Sequence, residues 1–225
     1  MHNIQKQILR ELLFKPHSRF AGLNTKSISN DHFAFHLKRL VELALVVKDD
    51  NGYALTAAGK ECANRLDTDA KLLDFERQAK IGVLVVAISA DKKILVQQRL
   101  KQPYYGFYGF VTGKVKWGET IMEAATRELK EETNLSGELK LVGIEHKLDY
   151  SAANALLEDK YFYILRAENL TGKLTANFEG GRNVWLTKAE TKKLPDLFDD
   201  VLTILDVVAK NKLVFLEQKY QVKRY

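Results

Sequence analysis

GKVKWGETIMEAATRELKEETNL, residues 113–135, decides how this chain is read. From Thr120 onward it lacks Gly and Pro up to Leu135, and Ile121, Met122, Ala124, Ala125, Thr126 and Leu129 sit among polar residues that favour helix, so a helix is expected there. Glu128, Glu131 and Glu132, three and four residues apart, then share one face. Like charges crowded on one face weaken a helix unless something positive covers them. Hard carboxylate oxygens suit Mg2+ or Mn2+, which are usually held by one or two carboxylates together with substrate phosphates. The competing reading is a solvated acidic face with no ligand.

The spacing supports the metal reading. Gly113, five residues, Glu119, seven residues, then Arg127-Glu128-Leu129-Lys130-Glu131-Glu132 resembles the Nudix box, the signature of Mg2+-dependent hydrolases of nucleoside diphosphates linked to another group. The family usually has Gly where this chain has Asn134, and Asn is the non-glycine residue that best tolerates the left-handed turn at a helix end. The resemblance covers residues 80 to about 210 and implies an α/β/α sandwich around a mixed sheet.

Cleaving a diphosphate needs a cation to neutralise its oxygens, a positioned water and a group to take the water's proton. Glu128 and Glu132 are the first candidates for metal ligands, with Glu131 either a third ligand or the base. The resemblance implies that Arg127 pairs with Glu119 to hold loop and helix together. It extends to Glu179, six residues before Trp185, where Nudix enzymes that clean the nucleotide pool carry a metal-binding or base glutamate. It also extends to Arg99, at the position of a phosphate-contacting arginine, and to Thr112, whose carbonyl occupies the place of a metal-binding one. The family commonly has glycine at that last position, and a β-branched residue narrows the allowed backbone. The aromatic run 103–110 offers rings that could stack a nucleobase or fill a core. Trp117 is expected to be exposed near the site.

The chain has 225 residues, 46% of them apolar, which allows one large or two small domains. No apolar run reaches membrane-spanning length, and charges interrupt the apolar positions of MHNIQKQILRELLF, so a cytoplasmic protein without membrane contact is expected. Cys62 is alone, which excludes an internal disulfide framework. The net charge of +6 suits nucleotides or nucleic acid and selects neither.

Residues 1–68 read as a separate domain. Ile4, Ile8, Leu12 and Leu13 give a helix over 3–14 that Pro16 stops. A short helix is expected over 18–23, and a third after Ser29-Asn30-Asp31, with Phe33, Leu37, Leu40, Val41 and Ala44 on one side. Asn51-Gly52 joins two short strands, and helix resumes over 57–68. This order resembles a winged helix-turn-helix. In that family the third helix enters the major groove, which makes His32, His36, Lys38 and Arg39 candidate DNA contacts. Residues 1–70 hold ten basic and eight acidic residues, a weak footprint for phosphate binding, so DNA contact, dimerisation and covering a neighbouring site all stay open.

A charged connector is expected over 69–79, and the Nudix-like domain over 80–225. Its strands are expected at 81–88, 94–99, 107–112, 138–149, 160–168 and 183–187, with helices at the box and over 196–210. The tail LVFLEQKYQVKRY is either a late strand or the arm of a homodimer. Two function classes follow: a metal-dependent hydrolase of a nucleoside diphosphate derivative, or a regulator that senses a nucleotide metabolite and binds DNA through the winged helix. The retained Arg127, Glu119 and three glutamates favour the hydrolase, since a pure sensor has no need of them.

Overall fold

A computed structural model describes residues 1–24, 28–66, 77–210 and 212–225. The chain divides into two compact units, Met1–Arg77 and Gln78–Tyr225. Residues 69–76 of the expected connector lie outside the described residues.

In the first unit α1 (Asn3–Phe14), α2 (Phe20–Leu23) and α3 (Asn30–Glu42) precede a hairpin of β1 (Val46–Asp49) and β2 (Gly52–Leu55), then α4 (Ala57–Asn64). Ile8, Leu12, Phe33, Leu37 and Leu40 enter its core as the helical periodicity predicts, joined by Leu9 and Leu23; Val41 and Ala44, expected on the same side, are exposed, Ala44 lying beyond the end of α3 at Glu42. Gly52 takes a positive φ of 127° at the hairpin, and a Cβ there would stand 2.6 Å from the Ser18 carbonyl oxygen. Thr56 caps α4 by accepting from Gly59 N. That helix stops at Asn64, short of the expected 68.

The second unit is built on β3 (Lys80–Ala87), a continuous apolar strand buried on both faces. Val83, Val85 and Ala87 pack with Ala124, Ala125 and Leu129 of α5 (Ile121–Thr133). Leu84 and Val86 pack on the other side with Val201, Ile204 and Val208 of α7 (Val201–Ala209). This places a sheet between two helices, a mixed α/β sandwich.

One sheet runs β11-β7-β8-β3-β6, with β6 (Val111–Lys114), β7 (Ser136–Tyr150), β8 (Leu156–Thr171) and β11 (Val214–Gln221). The other runs β5-β4-β10-β9, with β4 (Ile94–Arg99), β5 (Tyr108–Gly109), β9 (Asn177–Phe178) and β10 (Gly181–Leu186). A short helix, α6 (Lys188–Thr191), follows β10.

Three expectations change in detail. The strand expected at 107–112 divides into β5 and β6, and β6 continues to Lys114, so the glycine that opens the box is itself in a sheet, opposite Val83. The helix expected from 196 begins at Val201, because Tyr108 N binds the Asp196 carbonyl and Phe198 N binds the Tyr108 carbonyl, tying that stretch to β5 in place of a helical turn. The tail forms β11, parallel to β7 of its own chain. Among the described residues no helix is long and apolar enough to cross a membrane.

Candidate active site

The box folds as a strand, loop and helix locked by one guanidinium. Thr120 and Glu123 cap α5 reciprocally, each side chain accepting from the other's backbone N–H. At the far end Asn134 takes the left-handed conformation, φ 60°, and its side-chain amide donates to the Lys173 carbonyl. Arg127 grips Glu119 through two bonds, Nε to Oε1 at 2.7 Å and Nη2 to Oε2 at 2.9 Å. Lys116 N also donates to Glu119. The Arg127 hydrogen bonds hold the Glu119 carboxyl down at about 2. Arg127 reaches the Lys114 carbonyl as well, and Nη1 donates to Glu128 at 2.6 Å and Glu131 at 3.1 Å.

Glu128 lies flat against Gly113. A Cβ at Gly113 would fall 1.8 Å from the Glu128 Cδ, so only glycine leaves room for that carboxylate. One turn on, Glu132 enters the same cavity, whose volume is about 680 Å3. Burial pushes the Glu132 carboxyl up to about 7; a hydrogen bond from Gln97 opposes the shift and the nearby Glu128 charge adds to it. Gln97 is itself fixed by donating to Asn183, whose amide donates to the Glu132 and Thr175 carbonyls.

Two acidic side chains thus face one cavity from α5, with Thr112 and Gly113 lining the wall beside them. A cation would relieve their mutual repulsion. The donor set fits a hard divalent ion held by one or two carboxylates and completed by water and phosphate oxygens. Among the described residues no group of three or more His, Cys, Asp and Glu is gathered into a full cage.

The other candidates are placed as follows. Glu131 is 55% exposed at its side chain, paired with Arg127, and does not line the cavity. Glu179 is exposed in the turn between β9 and β10; its neighbours Phe178 and Gly180 line the cavity and it does not. Arg99 lines the cavity, but its Nε and Nη2 donate to the carbonyls of Pro103 and Gln102, binding the loop that follows β4. In the first unit His32, Lys38 and Arg39 are exposed, Arg39 pairs with Glu42, and His36 is buried at 6% exposure between His2 and His32. His36 therefore presents no free edge to a duplex.

The cavity also contains residues that sequence reading missed. Lys101 joins the acidic end. At the opposite end Lys147 and Asp149 of β7 are buried, with Lys160 and Glu158 beside them on β8; Glu145, two residues before Lys147, is buried as well but does not line the cavity. Lys147 donates to Asp200 at 2.7 Å, and Tyr104 donates to Asp149 at 2.7 Å. Burial works against the Lys147 ammonium, but Asp200 and Asp149 outweigh it and its pKa rises. Tyr104 is pushed well up by burial and by its bond to Asp149. The one sequence signal was charge at every second position of a strand, which reads equally as a solvated face.

Comparison with known proteins now bears on this geometry. A curated ADP-ribose pyrophosphatase of Methanocaldococcus jannaschii is 34% identical over 94 residues, 41% of this chain. The chain spans 56% of that relative's length. The fold is shared with a MutT protein of Bacillus halodurans, with a TM-score of 0.55, 21% identity, and coverage of 65% of this chain and 93% of that one. It is also shared with the NUDIX domain of Shewanella oneidensis NrtR, solved with ADP ribose, with a TM-score of 0.52, 18% identity, and coverage of 69% and 97%. Residues 78–204, more than half of the chain, match the NUDIX domain model, and with its box assembled as strand, loop and helix the chain belongs to the NUDIX family.

Proposed function

We propose that this protein is a pyrophosphohydrolase that cleaves the diphosphate linkage of a nucleoside diphosphate derivative with the help of Mg2+ or Mn2+. The observation that carries this reading is the convergence of Glu128 and Glu132 on one cavity with cationic side chains around it. NUDIX hydrolases generally use a divalent metal, which when bound supplies charge neutralisation at the diphosphate and acidifies an attacking water.

The chain's own residues do the rest. Glu128 and Glu132 would hold the cation, with Thr112 lining the wall beside them. Gly113 keeps Glu128 at the right depth. Arg127, bound to Glu119, fixes the angle between loop and helix and stops Glu128 from swinging out. Glu131, the third glutamate of the helix face, accepts the water's proton once it leaves Arg127; Glu179 serves that role if its turn closes over the cavity. Substrate phosphates lie toward the lysines and Arg99 that line the acidic end. The aromatic and charged opposite end takes the group beyond the diphosphate.

ADP-ribose is the first compound to test, because the curated relative carries that activity by name. The assay is a mass-spectrometric cleavage screen over nucleoside diphosphate derivatives with Mg2+, Mn2+ or chelator. The proposal expects metal-dependent cleavage of one class and its loss in Glu132→Gln with the fold intact. Near-normal turnover in that variant would remove Glu132 from the metal site. A second reading is a nucleotide-sensing regulator, favoured by the order of elements in the first unit, which is that of a winged helix-turn-helix. Thermal stabilisation by a nucleotide without cleavage, joined to salt-sensitive binding of duplex DNA, would select it.

A further inference from the structure

The phosphate-facing arginine expected on β4 is partly spent. Arg99 donates from Nε and Nη2 to the Pro103 and Gln102 carbonyls, so its fork holds the 100–107 loop to the strand end. The loop is bound from other sides too: Tyr104 donates to the buried Asp149, Leu100 N donates to the Gly180 carbonyl, and Gly106 N donates to the Arg99 carbonyl. The result is a fixed platform two residues beyond Arg99.

Lys101 is carried on that platform. A Cβ at Gly180 would stand 3.0 Å from the Lys101 Nζ and 3.1 Å from its Cε, with the Phe178 ring 3.0 Å away on the same spot. A side chain at Gly180 would crowd the lysine tip and the Phe178 ring together, shifting the ammonium by a few tenths of an ångström. Among the described residues the Lys101 ammonium has no carboxylate within 4.0 Å. It lines the same cavity as Glu128 and Glu132. An ammonium without a carboxylate partner, in one cavity with two carboxylates suited to a cation, is placed for a phosphate group bound to that cation.

We propose that Lys101 is a catalytic residue of this site, contacting the phosphate group held next to Glu128 and Glu132, and that Arg99 and Gly180 are positioning residues that aim it. This rests on the hydrolase reading above. Charge builds on the phosphate oxygens as the diphosphate bond breaks, and a pre-placed ammonium stabilises that charge without reorganising at the moment of reaction. An arginine at 101 restores charge but not the compact point geometry.

The test uses the full chain and two readouts. Calorimetric binding of methylene diphosphonate in the presence of Mn2+ is measured for wild type, Lys101→Gln, Lys101→Arg, Gly180→Ala and Glu132→Gln, with thermal unfolding of each. The same variants are then assayed for kcat and KM on the compound that the wild type cleaves. Lys101→Gln is expected to weaken Mn2+-dependent diphosphonate binding at least tenfold and to lower kcat/KM about 10^2-fold, with unfolding temperature unchanged. Lys101→Arg recovers part of both, and Gly180→Ala loses part of both although no charge is removed. If Lys101→Gln binds and turns over as wild type while Glu132→Gln loses metal-dependent binding, the lysine proposal fails and the hydrolase reading stands. If Glu132→Gln also binds and turns over as wild type, Glu132 leaves the metal site and the lysine proposal fails with it; if the wild type shows neither metal-dependent binding nor cleavage, the hydrolase reading fails and takes this proposal with it.

Discussion

Replacing Gly113 by alanine isolates one requirement of the site, the space that Glu128 occupies. The new Cβ would lie 1.8 Å from the Glu128 Cδ, 2.0 Å from its Oε1 and 2.1 Å from its Cγ. Ordinary carbon contacts begin near 3.4 Å, so the carboxyl must retreat by about 1.6 Å. That breaks the 2.6 Å bond from Arg127 and separates Glu128 from Glu132 in the cavity. A misplacement of about 1 Å costs on the order of 10^2-fold in rate, equivalent to about 2.7 kcal/mol of barrier. The fold should suffer less. Gly113 sits in β6 without a positive φ, and overpacking of this kind typically costs about 1–3 kcal/mol. The assay is kcat at saturating Mn2+ together with a Mn2+ titration by calorimetry, both checked against thermal unfolding. An alanine variant with kcat within threefold of wild type and an unchanged Mn2+ affinity would refute the placement of Glu128 as a ligand held by Gly113.

Two further outcomes follow from the ion pairs. Arg127→Ala should lower the unfolding temperature and the activity together, and Arg127→Lys should not rescue either, because the fork that binds Glu119 is lost. Glu119 is held at about 2, below its unfolded value, so its contribution is complete above about pH 4.5 and is lost as pH falls toward about 2; unfolding temperature measured over that window should converge for wild type and Arg127→Ala. Asp200→Ala strands the buried Lys147 ammonium and should cost about 3–5 kcal/mol in denaturant unfolding, whereas the double change Lys147→Met with Asp200→Leu should cost less. Equal losses in the single and double variants would show that the pair is not what stabilises that end of the cavity.

The box was legible because its information is local. Helix periodicity from Thr120 and the spacing of Glu128 and Glu132 both lie within one turn or two of their partners. Asn134 at the left-handed helix end is likewise a property of a single residue type. The same holds for the hairpin around Asn51-Gly52 and for the apolar run that became β3.

Longer-range placement was not legible. Glu131 shares a helix face with Glu128 in sequence, yet Arg127 draws it outward, because the guanidinium is already anchored by Glu119 eight residues before it. That Arg99 also binds the carbonyls of Pro103 and Gln102 in the loop after β4 could not be read from its position in the strand. His36 reads as a groove-facing side chain until α1 brings His2 over it.

The helix with its paired glutamates, the strand before it and the order of elements in each unit follow from the chain alone, since they depend on propensity and spacing between near neighbours. What only the tertiary structure decided is which face of β7 is buried. Ile144 and Leu148 suggest one side, but the pairing with β8 and the packing of α7 bury Glu145, Lys147 and Asp149, the last two on the cavity wall. Strand register and the approach of distant segments set that choice, and a charged residue is stable inside only once partners such as Asp200 and Tyr104, some fifty residues away on either side, have arrived.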